Sequence, residues 1–239
     1  GQNLIACAAM NSTLFVYGFF DDADNDATFV RASSIGSVNA IITTTDIETN
    51  AGETGQVAIT SIDGAYFAFA WYNTSTQKII LTVNDKDNAV VMSPKIIDTN
   101  ASITGVTSRL AMTTVRERTP SEANDWFIVA WNDQNTGNIN ASVYNISGTL
   151  KYNYELANYE NTTSLLFDIY GRDDLSDFGA CTETFLFAYT NNTGGTLTKT
   201  LYINGTAWDG VCRDVPDDEF PIFSSFASST SLSRTASSS

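Results

Sequence analysis

Not one of the 239 residues is histidine. Imidazole is the commonest general base, the commonest transition-metal ligand and the only unperturbed side chain that titrates near neutral pH. Its absence excludes a Ser-His-Asp or Cys-His catalytic site within this chain. Zinc, copper and non-haem iron sites built on imidazole are excluded with it. Charge is scarce too. Only 16% of residues are charged, and 12 Lys and Arg stand against 27 Asp and Glu, for a formal charge of −15. Nucleic acid is gripped through clustered Lys and Arg, and anionic lipid likewise. The chain is therefore not expected to bind either. The acidity reads as solubility and self-repulsion, with cation binding as the alternative.

Long apolar runs are also missing. The longest, at 127–131 and 184–188, fall far short of the roughly 20 residues that span a bilayer. No membrane span is expected. No charged-then-apolar leader precedes Gly1 and there is no initiator Met, so the start reads as a processed or trimmed N-terminus.

What is present is β structure, four times over. Apolar residues make up 43% and aromatics 12%, a globular composition with enough length for a substantial core. An aromatic strand runs into an Asn/Asp/Thr turn, a second strand, a small polar turn and a third strand. The aromatic strands begin at Leu14, Tyr66, Trp126 and Thr184. Each is preceded by a candidate inner strand, at 4–10, 57–62, 110–115 and 165–170. From Ala6 to Ala58 to Ala111 the spacing is 52 and then 53 residues. Four strands in a period of about 50 residues form a blade-like unit. The fold class is therefore all-β, with four blade-like four-stranded antiparallel repeats at about 1–52, 53–105, 106–160 and 161–221. The alternative is two Greek-key sandwiches, which short alternating strands also permit. The aromatic strands are nearly continuously apolar, as strands covered on both faces are. The fourth strands, such as 151–156, are expected to be the polar outer edges.

Asn-x-Ser/Thr acceptors for N-linked sugar occur at Asn11, Asn73, Asn100, Asn140, Asn145, Asn161, Asn191 and Asn204. Several fall at turns, where a glycan disturbs no packing. Most are expected to be glycosylated. The competing account is that Asn and Thr are good turn residues.

Asp22, Asp24 and Asp26 have the alternate spacing of a calcium loop, but Ala27 stands where such a loop wants Gly. Calcium and a solvated turn both remain open, and no other cofactor is expected. Three cysteines leave one over. Cys181 and Cys212 are the preferred disulfide, adding roughly 3–4 kcal/mol by chain entropy. Cys7 then reads as a buried free thiol, and a Cys7–Cys212 bond joining first blade to last is the rival. Asp63, Asp133, Asp173, Asp174 and Asp177 are candidate carboxylates for glycoside hydrolysis, although most lie in turn sequences. Trp71, Trp126, Trp131 and Trp208 could stack on sugar rings. Trp71 and Trp131 end their strands in equivalent positions, which favours the core.

Residues 222–239 are dominated by Ser and Thr. With Ile222, Phe223, Phe226 and Leu232 as anchors, this tail is expected to dock on a neighbouring subunit or on its own blades.

The third repeat carries Trp131, Gly137, Ile139, Ala141, Tyr144, Asn145 and Gly148 in the order aromatic strand, Gly turn, Ile-x-Ala-x-x-Tyr-Asn-x-x-Gly. This string resembles the tandem propeller-type repeats of large secreted microbial surface proteins and, more distantly, integrin-alpha-like blades. The resemblance covers about forty residues. It implies an extracellular propeller-like module and supplies no catalytic residue. The leading functional expectation is a secreted, N-glycosylated, non-enzymatic structural protein. Copies of it would assemble into a filament or surface coat. A carbohydrate- or ligand-binding propeller is the alternative, and a carboxylate hydrolase the third reading.

Overall fold

The computed structural model describes residues 5–21, 26–35, 38–48, 56–101, 103, 110–115, 126–133, 135–158, 167–172, 183–190 and 196–203. They form fifteen strands, with no helix among the described residues. The first sheet comprises β1 (Ala6–Ala9), β2 (Leu14–Asp21), β3 (Asp26–Ile35) and β4 (Val38–Glu48). The second comprises β5 (Val57–Ile62), β6 (Tyr66–Asn73), β7 (Lys78–Asp85) and β8 (Val90–Asp98). The third comprises β9 (Leu110–Val115), β10 (Trp126–Asp133), β11 (Asn138–Asn145) and β12 (Leu150–Asn158). In the fourth, β13 (Phe167–Arg172), β14 (Glu183–Thr190) and β15 (Thr196–Ile203) are described.

Every sheet is an antiparallel meander in chain order. A Greek key needs a strand that pairs out of order, so the sandwich alternative does not hold. The sheets stand side by side through their first strands: β1 neighbours β5, β5 neighbours β9, and β9 neighbours β13. This is the radial arrangement of blades.

Local chemistry explains the hairpins. Asp63 and Gly64 both have positive φ, 51° and 66°, and Ala65 N–H donates to Ile62 O. That is the type I′ turn an Asp-Gly pair favours. The later turns repeat one design. Asp85 Oδ1 accepts from the N–H groups of Asp87 and Ala89, and Asn145 Oδ1 accepts from Thr149 N–H and Ser147 Oγ–H. Asn88 and Gly148 hold matching left-handed positions, at φ 75° and 79°.

The core lies between sheets, not within them. Phe67, Phe69 and Trp71 pack with Val16, Phe20 and Phe29 of the first sheet. Phe127, Val129 and Trp131 pack with Ala68, Ala70 and Tyr72 of the second. In each pair the later sheet offers one face of its second strand and the earlier sheet the opposite face of its own. Gly18 lies so near Phe69 that an ideal Cβ would sit 2.0 Å from the ring.

Two expectations need correction here. Cys7 is exposed, because its strand turns that face away from the second sheet. The outer strand β8 is not simply polar: Val90, Val91 and Ile96 are exposed. Pro94 sits in this edge strand, where a missing N–H costs no ladder bond. In the fourth repeat the innermost strand expected at 165–170 is described over Phe167–Arg172, and 165–166 lie outside the described residues.

Candidate functional site between the second and third sheets

Strand alternation builds a polar row on the third sheet. Phe127, Val129 and Trp131 face the second sheet, and their register partners on β11 are Tyr144, Ser142 and Asn140. Asp133 pairs with Asn138 in the same series. Asn138, Asn140 and Ser142 therefore share the face turned toward the second sheet. Asn153 and Glu155 of β12 pair with Ser142 and Asn140 and continue the row.

The row is densely hydrogen-bonded. Ser142 Oγ donates to Asn153 Oδ1 at 2.7 Å. Asn138 Nδ2 donates to Glu155 Oε2 at 2.8 Å. Asn138 Oδ1, by contrast, is buried without a hydrogen-bond partner. Residues of the second repeat meet the third sheet beside this row. Trp131 Nε1–H donates to Asp98 Oδ2 at 2.9 Å, and Asn135 Nδ2 donates to Asn100 O at 2.8 Å. Tyr72 OH donates to Ala101 O. Burial raises the Tyr72 pKa above its ordinary value, a backbone hydrogen bond with Ile103 opposes this, and the Asp133 and Asp98 charges add to the rise. Both carboxylates therefore act on one phenol at one end of this interface. Lower on the same interface, Lys95 Nζ donates to Gly148 O and lies 5.2 Å from the Tyr144 ring centre.

The sequence-predicted residues are distributed unevenly around this interface. Asp133 belongs to it and is buried, with Oδ1 and Oδ2 capping Asn135 and Thr136. Asp63 lies in the β5–β6 turn, at the other end of the sheets. Asp173, Asp174 and Asp177 lie outside the described residues, as do Asp22, Asp24, Asn161, Asn191, Asn204, Cys181, Cys212, Trp208 and the tail anchors Ile222, Phe223, Phe226 and Leu232. Asp26 pairs with Asp21 across the hairpin that encloses Asp22 and Asp24. Trp71, Trp126 and Trp131 are all buried, and Lys151 Nζ lies 4.4 Å from the Trp126 ring centre. These tryptophans are thus core and form no open stacking platform.

Of the acceptor asparagines, Asn11 and Asn100 are exposed and Asn140 and Asn145 half-buried. Asn73 is only 3% exposed, with Oδ1 accepting Thr76 N–H. Asn11, Asn73 and Asn145 all cap their own turns. Asp85 does the Asn145 task in the second sheet without any acceptor motif. At these positions the fold uses the side-chain oxygen as a turn cap.

Sequence reasoning does not single out Asn138, Ser142, Asn153, Asp98 or Glu155. The available signal is the alternation of polar and apolar residues over 138–143. What it lacks is the identity of the facing sheet.

The fold is propeller-like. A fucose-specific lectin from Aleuria aurantia (Hg-derivative form) superposes with a TM-score of 0.51 at 8% identity, over 85% of this chain and 59% of the lectin. This chain thus spans little more than half the lectin's length. A Hadza microbial sialidase superposes at 0.43 and 11% identity, over 87% of this chain and 45% of the enzyme. At such identity the lectin match establishes shared fold and nothing finer. No protein-family model matches the chain, and no curated protein matches it significantly.

Proposed function

We propose that this chain is a carbohydrate-binding propeller module that reads sugar hydroxyls through the polar row of its third sheet. The observation that carries this reading is the row itself, in which Asn138 and Asn140 are half-buried and Asn153 and Glu155 exposed. Residues two apart on a strand stand roughly 6.6–6.8 Å apart, a spacing on the scale of a sugar ring. Amides donate to and accept from hydroxyls, and a carboxylate accepts from them. With the described tryptophans packed in the core, recognition rests on hydrogen bonds more than stacking. The lectin that shares the fold is fucose-specific by name, which is consistent with this assignment but does not carry it.

The test is a glycan array followed by titration calorimetry on the best hit. Asn140→Ala and Glu155→Ala should each weaken binding at least tenfold with an unchanged melting temperature. Absence of binding to every glycan at millimolar concentration refutes the reading. Turnover of a fluorogenic glycoside would replace it with the hydrolase.

The exposed Asn11 and Asn100 favour a second, compatible reading: a secreted glycoprotein whose turns carry N-linked sugar. The resemblance of the third repeat to secreted surface proteins points the same way.

A further inference from the structure

Each sheet–sheet interface obeys one rule. One face of the second strand, Phe67/Phe69/Trp71 or Phe127/Val129/Trp131, lies against the preceding sheet. The first sheet carries the same face on β2 as Phe15, Tyr17 and Phe19. Their rings form a ladder with centres 6.2 and 6.1 Å apart. Cys7 and Ala9 are their register neighbours on β1 and are exposed. Ile5 is 70% exposed and Ile41 65%. Among the described residues, no sheet packs on this face. It continues the established series of blade interfaces, one step beyond the last one filled.

The complementary half sits at the other end of the chain. In the fourth sheet, Phe167 and Ile169 are buried, as Val57 and Ile59 are in the second. The register Ile169↔Phe187 and Asp168↔Ala188 repeats Ile59↔Phe69 and Ala58↔Ala70. Leu186 and Ala188 thereby hold the backbone positions of Ala68 and Ala70, the face that receives the next blade. Among the described residues, β13 and β1 make no contact comparable to those of the filled interfaces.

We infer that the aromatic face of the first sheet docks the fourth sheet of a second copy, head to tail. Such a contact is heterologous. It closes a ring of two copies or propagates as a filament, depending on the rotation it imposes. It is separable from glycan binding, which uses the third sheet.

Sedimentation velocity over a hundredfold concentration range tests this on the whole chain. The wild type should form dimers or larger species, with Cys7 protected from maleimide as they form. Tyr17→Lys on the head face and Ala188→Lys on the tail face should each sediment as monomers. An equimolar mixture of the two should give a 1:1 dimer, because one intact head meets one intact tail. Ile5→Glu with Ile41→Glu, both on solvent-facing side chains, should also give a monomer, so a folding defect in Tyr17→Lys cannot mask the answer. Three results would each overturn the inference. These are a wild type that stays monomeric at every concentration, association unchanged by the head variants, and a mixture that does not pair.

Discussion

Gly18→Ala is the sharpest perturbation of the blade interfaces. Gly18 lies on β2 facing the second sheet, and its backbone is not in the left-handed region, so alanine fits the strand conformation. On local grounds the change should stabilise by about 0.5–1 kcal/mol, because glycine loses more freedom on folding. The interface reverses that sign. The new Cβ would sit 2.0 Å from Phe69 Cε2, 2.9 Å from Cδ2 and 3.0 Å from Cζ. The ring has little room to yield, being fully buried, stacked on Trp71 at 5.6 Å and tilted on Phe29 at 6.0 Å. Overpacking of this kind costs about 1–3 kcal/mol, so the net change should be destabilising. Less the local gain, the net loss is up to about 2.5 kcal/mol, and with a urea m-value of about 3 kcal/mol/M the midpoint should fall by up to about 0.8 M. The cycle with Phe69→Leu isolates the cause. Removing the ring edge should relieve the Gly18→Ala penalty, with a coupling of about 0.5–3 kcal/mol. A neutral or stabilising Gly18→Ala, or a penalty that is the same in the Phe69→Leu background, would show that the sheets do not meet as described.

Two other consequences are open to measurement. The Tyr72 pKa is raised by burial, with Asp133 and Asp98 adding to it, so the folded state holds this proton more tightly than the unfolded state. Stability should be fully present below the unfolded value of about 10 and should decline as pH rises beyond it. Tyr72→Phe should flatten that alkaline decline in chemical denaturation, and an identical slope would refute the assignment. On secreted protein, mass spectrometry should show Asn11→Gln and Asn100→Gln each losing one glycan mass. Asn73→Gln should lose none while lowering the melting temperature, because its own buried side chain caps the turn.

Much of the architecture is local and legible in the sequence. Leu14, Tyr66 and Trp126 start strands where the aromatic runs begin. The Asx and Gly turns appear where the composition places them. Trp71 and Trp131 are core at equivalent positions, as their shared place at strand ends implies. Cys7 shows where such reading stops. Small apolar neighbours mark a strand but not which of its faces another sheet covers. Asp63 and Asp133 show the same limit for chemistry: both are turn aspartates, yet they lie at opposite ends of the sheets.

The lack of histidine, the acidity, the fourfold strand period and the turn residues follow from the chain alone, because each depends on composition or on residues a few positions apart. Three features belong to the tertiary structure. They are the pairing of sheets in chain order, the polar row gathered opposite Asp98 and the uncovered aromatic ladder of the first sheet. Alternation gives every strand two faces, and only the packing of distant segments decides which becomes core, polar row or docking surface.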